Sequence, residues 1–229
     1  MSSQTTSQNN SFPWFNILVI FLGLAVVGVF IMVGLTALVN LSRFLPLTSS
    51  KAYWFISRSS GVLAYMLLTL GVMWGLVQSG AILRPTIPPA LALGLHSFLN
   101  WSAVAMVGLH ALILLGDNFI KMTLTDLVIP FVSPYRPLAI GLGILAFYLM
   151  LILSVSFYAR RWLGQKTFRT FHYVSFLTYV LVSLHGLTSG SDLNVLWPLY
   201  MVSIWSVSLL VVWRFANSRR TTAERAERS

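Results

Sequence analysis

The sequence has no cysteine and very little charge. Only 9% of its 229 residues are charged and 57% are hydrophobic, whereas a soluble domain carries about 25% charged residues. The missing cysteines exclude disulfides, thiolate-ligated iron–sulfur clusters and covalent c-type haem, which needs a C-x-x-C-H motif. With a mean hydropathy of +0.80, the composition predicts an integral membrane protein.

Acidic residues are especially scarce. Five Asp and Glu stand against fifteen Lys and Arg, which makes the net charge +10. A charge of this size can indicate nucleic-acid binding, but in membrane proteins Lys and Arg fill cytoplasmic loops and contact anionic lipid headgroups. We therefore expect the basic residues to contact the lipid bilayer, and we expect no nucleic-acid partner.

Long apolar runs account for most of the chain, and each is long enough to cross a bilayer as a helix. The pattern predicts an all-α integral membrane protein with a six-transmembrane-helix bundle over residues 13–215. A disordered polar tail at 1–12 precedes it, and a charged tail at 216–229 follows it. The predicted spans cover about 15–41, 53–78, 90–115, 137–157, 167–187 and 195–215. The longest loop, 116–136, has an apolar middle that is compatible with a position in the membrane interface.

The distribution of Lys and Arg predicts the orientation. If the N-terminus is inside, ten of these residues fall on the inner side and five on the outer side. The positive-inside rule then places both termini in the cytoplasm. We expect a multi-pass protein of the inner (plasma) membrane.

All four histidines lie in two of the predicted spans. His96 and His110 are in the third span, and His172 and His185 are in the fifth. Both spans cross in the same direction, so His96 is expected to face His172, and His110 to face His185. A single intramembrane histidine favours an interhelical hydrogen bond or a proton relay. Two matched pairs favour metal ligands.

The spacing of the histidines requires two separate sites. Fourteen residues separate His96 from His110, about 21 Å along a helix, and the thirteen between His172 and His185 span about 19–20 Å. A bare metal held by two histidines needs further ligands, and the predicted spans contain no Asp, Glu or Cys. An iron whose equatorial positions are filled by a porphyrin needs only two axial ligands. The count therefore predicts two bis-histidine b haems between the third and fifth helices.

The fifth span does not fit a straight helix. At about 100° per residue, fourteen residues end near the starting face, but thirteen end about 140° away from it. Either a bulge or kink separates His172 from His185, or the two haems approach this helix from different sides.

Three neighbours of the histidines are further candidates for cofactor binding. Gly94 and Gly108 each lie two residues before a histidine and let a flat ring approach the backbone, although small-residue helix packing explains them equally well. Trp101 lies at a depth between the two sites, where it would shorten the electron path or pack in the core.

Several stretches resemble the ferric-reductase-like transmembrane domain. They are SRSSGVLAY at 57–65, LHALILLGD at 109–117 and LGQKTFRTFHYVSFLTYVLVSLHGL at 163–187. This family includes ferric reductases, NADPH oxidases and bacterial haem-binding membrane subunits, and the chain resembles the stand-alone bacterial members. The resemblance implies six helices with two b haems on helices three and five. It also implies that Arg58 lies near the outer haem, beside a propionate or the reduced oxygen, unless it is an interfacial anchor.

Two departures from the family limit the enzymatic expectation. Full reductases continue after the sixth span into FAD- and NADPH-binding domains, for which no counterpart is expected here. The oxidases also carry another histidine where this sequence has Leu114. The glycine motif GLGILA at 141–146 lies within an apolar span, so it is not a dinucleotide fingerprint. We expect an oxidoreductase component that lacks its own FAD/NAD domain.

The expected function is transmembrane electron transfer. Electrons would enter the inner haem from a separate flavoprotein or membrane quinol and leave the outer haem for an acceptor, such as a protein, at the outer face. The alternatives are a quinol-oxidising haem subunit of a periplasmic reductase system, a non-catalytic accessory subunit of a respiratory or photosynthetic complex, and a proton-coupled transporter. A quinone, or a flavin in place of one haem, is an open alternative among the cofactors.

Overall fold

The computed structural model describes residue 28 and residues 52–79, 87–117, 120–190 and 192–226, with side chains described as far as residue 216. All regular structure in these ranges is helical. The predicted N-terminal tail at 1–12 and the first predicted span at 15–41 lie outside the described residues, apart from residue 28.

Seven α-helices follow one another between residues 52 and 226. They are α1 (Ala52–Ser79), α2 (Pro89–Ile113), α3 (Leu124–Val128), α4 (Pro137–Leu163), α5 (Gln165–His172), α6 (Val174–Ser189) and α7 (Leu193–Ala226). A single 3₁₀ turn, Leu114–Gly116, extends α2. The first residue of α2 and of α4 is a proline, which is favourable there because the first helical N–H has no intrahelical partner.

Four stretches of these helices are long and apolar enough to cross a membrane. They are α1, α2 with its 3₁₀ turn, α4, and the Leu193–Ala216 part of α7. They correspond to the second, third, fourth and sixth predicted spans. The fifth predicted span is divided between α5 and α6.

Two helices continue beyond their predicted ends. α4 extends to Leu163, so residues 158–163, predicted as a loop, are helical. Arg160 and Arg161 lie in its last turn, where cations complement the helix dipole, and Gly164 at φ +78° ends the helix. The backbone of α7 likewise stays helical to Ala226, into the predicted charged tail.

The core is built around α1, which packs against α2, α6 and α7. Its buried side chains include Tyr65 and Leu68, and Leu199 and Leu210 of α7 pack in the same cluster. Three buried hydroxyls, those of Thr69, Thr178 and Ser183, bond to the carbonyl one turn earlier, as Thr69 does to Tyr65 at 2.8 Å. Such bonds satisfy polar groups inside a membrane helix, where water is not available.

The fifth predicted span is interrupted at Tyr173, one residue after His172. The N–H of Tyr173 donates to Thr170 and the N–H of Phe176 donates to Tyr173, both with a three-residue spacing. A 3₁₀ step turns about 120° rather than 100°, so the break rotates α6 relative to α5. Of the two alternatives that the thirteen-residue spacing left open, a break in the helix between His172 and His185 is the one that the structure contains.

Candidate functional site

The fold brings the four histidines together as two pairs. The ring centroids of His96 and His172 are 6.1 Å apart, and those of His110 and His185 are 6.2 Å apart. This pairing requires α2 to run in the same direction as α5 and α6. These are the two pairs that the sequence spacing predicts.

Backbone carbonyls from two other helices hold the rings of the His110/His185 pair. His110 Nδ1 donates to the Ser57 carbonyl of α1 at 2.7 Å, and His185 Nδ1 donates to the Ala139 carbonyl of α4 at 2.7 Å. A carbonyl oxygen only accepts, so each Nδ1 carries the proton. The lone pair of each Nε2 is therefore free for a metal.

The His96/His172 pair is held less symmetrically. His96 Nδ1 donates to the Gly71 carbonyl at 3.1 Å, and Asn100 Nδ2 lies 3.4 Å from His96 Nε2. Among the described residues, His172 Nδ1 is buried without a hydrogen-bond partner. The His172 ring is instead stacked on Phe168, with centroids 5.5 Å apart. Only one ring of this pair is therefore tethered through a backbone carbonyl.

Three glycines leave room for the imidazole rings. A Cβ added at Gly143 would lie 2.7 Å from His185 Nδ1, and one at Gly61 would lie 2.8 Å from His110 Nδ1. One at Gly75 would lie 3.2 Å from His96 Cε1. None of these glycines was predicted as a site residue. Gly143 belongs to the GLGILA motif and Gly61 to SRSSGVLAY, so both motifs provide space for a histidine.

The donor set fits an axially ligated haem. Two metal–imidazole bonds of about 2.0 Å and two ring radii of about 1.1 Å place the centroids about 6.2 Å apart, close to the two observed separations. Across the ranges that the structure describes, no group of three or more His, Cys, Asp or Glu side chains gathers to hold a metal. A closed zinc site needs four ligands, whereas a haem iron needs only the two that each pair offers.

No protein-family model, curated protein or solved structure matches the chain. The interpretation of the two histidine pairs therefore depends on their own geometry.

Arg58 lies at the His110/His185 end of the bundle. It follows Ser57, the residue whose carbonyl binds His110. Its guanidinium forms an ion pair with Asp192 and lies over the Trp54 ring, 4.3 Å from the centroid. The side chain is 23% exposed. These contacts place a positive charge close to the His110/His185 pair, and they also suit the anchoring role left open for Arg58.

The three other predicted cofactor-binding residues have different surroundings. No atom of the described residues lies within 4 Å of a Cβ added at Gly94 or Gly108, so the backbone is open at both places, as a flat ring would require. Trp101 is 37% exposed and its ring faces Tyr158 of α4, 6.4 Å away. It is therefore not part of the buried core between the pairs.

A buried tyrosine cluster occupies that middle depth instead. The hydroxyls of Tyr65 and Tyr179 are 3.3 Å apart, and the Tyr65 hydroxyl lies 3.4 Å from Ser183 Oγ. The Tyr200 ring lies 4.9 Å from that of Tyr65. Tyr179 is almost midway between His172 and His185 along the chain. Sequence reasoning did not identify this cluster, because only the packing of α1, α6 and α7 brings Tyr65, Tyr179 and Tyr200 together.

Proposed function

We propose that this protein carries electrons across the membrane through two b-type haems. His96 and His172 would hold one haem, and His110 and His185 would hold the other. The observation that carries the proposal is the presence of two facing imidazole pairs with centroids 6.1 and 6.2 Å apart. The chain would then be a haem-binding, ferric-reductase-like oxidoreductase component of the inner membrane, with both termini in the cytoplasm.

The two pairs are separated along the membrane normal. Thirteen or fourteen residues between the histidines of one helix correspond to about 20 Å, compared with a hydrocarbon thickness of about 30 Å. One site thus belongs to each leaflet. Electrons would enter on the His96/His172 side from a cytoplasmic flavoprotein or membrane quinol and leave on the His110/His185 side for an outer acceptor.

The contribution of the polypeptide is to position and orient the ligands. The carbonyls of Ser57, Gly71 and Ala139 select the tautomer with a free Nε2 and raise the basicity of the ligating nitrogen. The apolar helices around both pairs exclude water. A bound haem supplies reversible one-electron chemistry.

A quinol-oxidising haem subunit of a periplasmic reductase system is the second candidate. The observation that favours it is an open, mainly apolar groove of about 530 Å³ whose lining includes Phe171, the residue before His172, a size within the range of small-molecule sites. It lies between the second half of α4 and α5 and is lined by Leu151, Ile152, Val155, Ser156, Ala159, Leu163, Thr167 and Phe171. In this second candidate, the groove would receive the quinol ring.

The proposal is tested by the reduced-minus-oxidised absorbance spectrum of the purified full-length protein and by its haem-to-protein ratio. We expect a b-type spectrum and two haems per chain. His96→Ala and His110→Ala should each lose one haem, whereas Val212→Ala, at an exposed position of α7, should retain both. Absence of a b-type signal in folded protein from haem-supplied cells would contradict the proposal, as would full haem retention in both histidine variants.

The two candidates differ in the electron donor. Adding quinol to membranes should reduce the haems if the groove lined by Phe171 is a quinol site. Val155→Trp would fill the groove and slow that reduction, while Val212→Trp on the exposed side of α7 would not. Haem reduction that needs a flavoprotein and is unaffected by Val155→Trp would favour the first candidate.

A further inference from the structure

The connection between α2 and α4 folds back along the side of α4. The Tyr148 hydroxyl of α4 donates to the Val128 carbonyl at 2.5 Å. The Phe131 ring lies directly against the backbone of Gly141, where an added Cβ would collide with it. Phe131 adopts a positive φ of 68°, a conformation that costs free energy for a bulky residue. The surrounding contacts therefore hold this connection in a defined position.

The depth of the connection follows from the helix that it contacts. Gly141 and Tyr148 lie four and eleven residues after the start of α4 at Pro137, about 6 and 16 Å along its axis. Helical side chains lean toward the N-terminus, which places the Val128 carbonyl roughly 10 Å below the start of α4. Since α4 is a candidate membrane span, the connection returns to a depth below the membrane surface.

The surface of the connection is apolar. The side chains of five large hydrophobic residues are between 46% and 63% exposed: Leu124, Val128, Ile129, Phe131 and Val132. Between Met122 and Tyr135 the one charged residue is Asp126. Lys121 and Arg136 bound this stretch on either side, as cations commonly do at the edge of a membrane-embedded segment.

The one charged side chain between Met122 and Tyr135, that of Asp126, is paired with Thr123. The Asp126 carboxylate accepts from the Thr123 N–H at 2.9 Å and from the Thr123 hydroxyl at 2.6 Å. The Asp126 N–H donates back to Thr123 Oγ1, which completes a capping box. This pairing lowers the cost of placing Asp126 and Thr123 close to lipid, where an unpaired polar group is expensive.

We propose that residues 124–132 form a re-entrant segment whose apolar side chains insert among the acyl chains of the leaflet at the His110/His185 end. Lipid is favoured as the occupant because the segment is continuous with two membrane-crossing helices and carries its cations only at its ends. Apolar area inserted to a depth of about 5–10 Å is the usual mode of binding for interfacial segments. This inference is independent of haem.

The cysteine-free chain permits a direct test with single cysteines. Leu124→Cys, Val128→Cys and Val132→Cys would each carry one nitroxide spin label in the full-length protein, reconstituted in phosphatidylethanolamine–phosphatidylglycerol vesicles. Val212→Cys, which is 66% exposed on the spanning part of α7, is the lipid reference. Lys121→Cys is the aqueous reference. Monodisperse elution before labelling would establish that each variant is folded.

The measurement is the collision rate of each label with oxygen, which partitions into lipid, and with a water-soluble nickel chelate. We expect the three labels to resemble position 212, with frequent oxygen collisions and several-fold fewer nickel collisions than position 121. Nickel access equal to that at position 121 would show that the segment lies in water. Shielding from both reagents would show that protein covers it, either another part of this chain or an acceptor protein. Either result would overturn the proposal.

Discussion

The imidazole rings of His110 and His185 face each other with their planes 77° apart. Each ring is oriented by a carbonyl from a different helix, Ser57 of α1 for His110 and Ala139 of α4 for His185. The angle between the planes is thus determined by the positions of α1 and α4. A metal between the rings would receive two axial ligands with nearly perpendicular planes.

The first prediction concerns the electron paramagnetic resonance of the oxidised protein. Perpendicular axial imidazoles leave the iron dπ orbitals nearly degenerate, so a low-spin ferric signal of high anisotropy is expected. The His96/His172 planes are 66° apart, and the same signal type is expected there, with more heterogeneity because His172 Nδ1 has no partner among the described residues. An ordinary rhombic signal from both sites would show that the rings turn parallel.

The second prediction concerns Gly143, which packs against His185. In Gly143→Ala the added Cβ would lie 2.7 Å from His185 Nδ1, and overpacking of this kind costs about 1–3 kcal/mol. We expect the haem of the outer pair to be lost and that of the inner pair to stay, as seen in the haem-to-protein ratio. Alanine favours a helix over glycine by about 1 kcal/mol, so helix propensity would not explain the loss. Leu138→Ala, at an exposed position of the same helix, should retain both haems.

The third prediction separates cofactor binding from helix packing at Gly108. A Cβ added there meets no atom of the described residues within 4 Å, so Gly108→Ala should leave the thermal stability of the haem-free protein unchanged or slightly higher. If a haem ring lies against this backbone, the same substitution should weaken haem retention at the outer pair. Unchanged haem content together with unchanged stability would assign Gly108 no role in cofactor binding.

The fourth prediction concerns the ion pair between Arg58 and Asp192. A positive charge near a haem stabilises its reduced form, so Arg58→Gln should lower the midpoint potential of the outer haem. Asp192→Asn should raise it, by about tens of millivolts in each case for charges in a partly buried environment. A redox titration followed optically would measure both shifts, with the inner haem as the internal reference. Shifts of the same sign in the two variants would contradict an electrostatic role.

Much of the architecture could be predicted from the sequence because the bilayer imposes a length and a polarity on each span. Four predicted spans coincide with candidate membrane-crossing helices to within a few residues at most ends. The end of α4 was missed because its last turn is basic, and a basic stretch suits a helix C-terminus as well as a loop. The six-span bundle as a whole stays a prediction, since its first span lies outside the described residues and its fifth, divided between α5 and α6, is not among the four candidate spans.

The candidate site was predictable only in part. The pairing of His96 with His172 and of His110 with His185 followed from spacing and from helix direction. The carbonyls of Ser57, Gly71 and Ala139 were not predictable, because a backbone acceptor has no signature in the sequence. The position of Trp101 between His96 and His110 gives it the expected depth along α2. Its side chain lies on the side of α2 that meets Tyr158 and is partly exposed.

Composition and spacing alone determined that the chain is apolar enough for a membrane and that its four histidines form two sets. The first property follows from composition. The second depends on distances along the chain, which a helix converts directly into depth. Only the tertiary structure decided how each imidazole is tethered, which glycines make room for it, and that the helix breaks at Tyr173. Those features depend on the rotation and packing of neighbouring helices, which are determined by contacts between residues far apart in the chain.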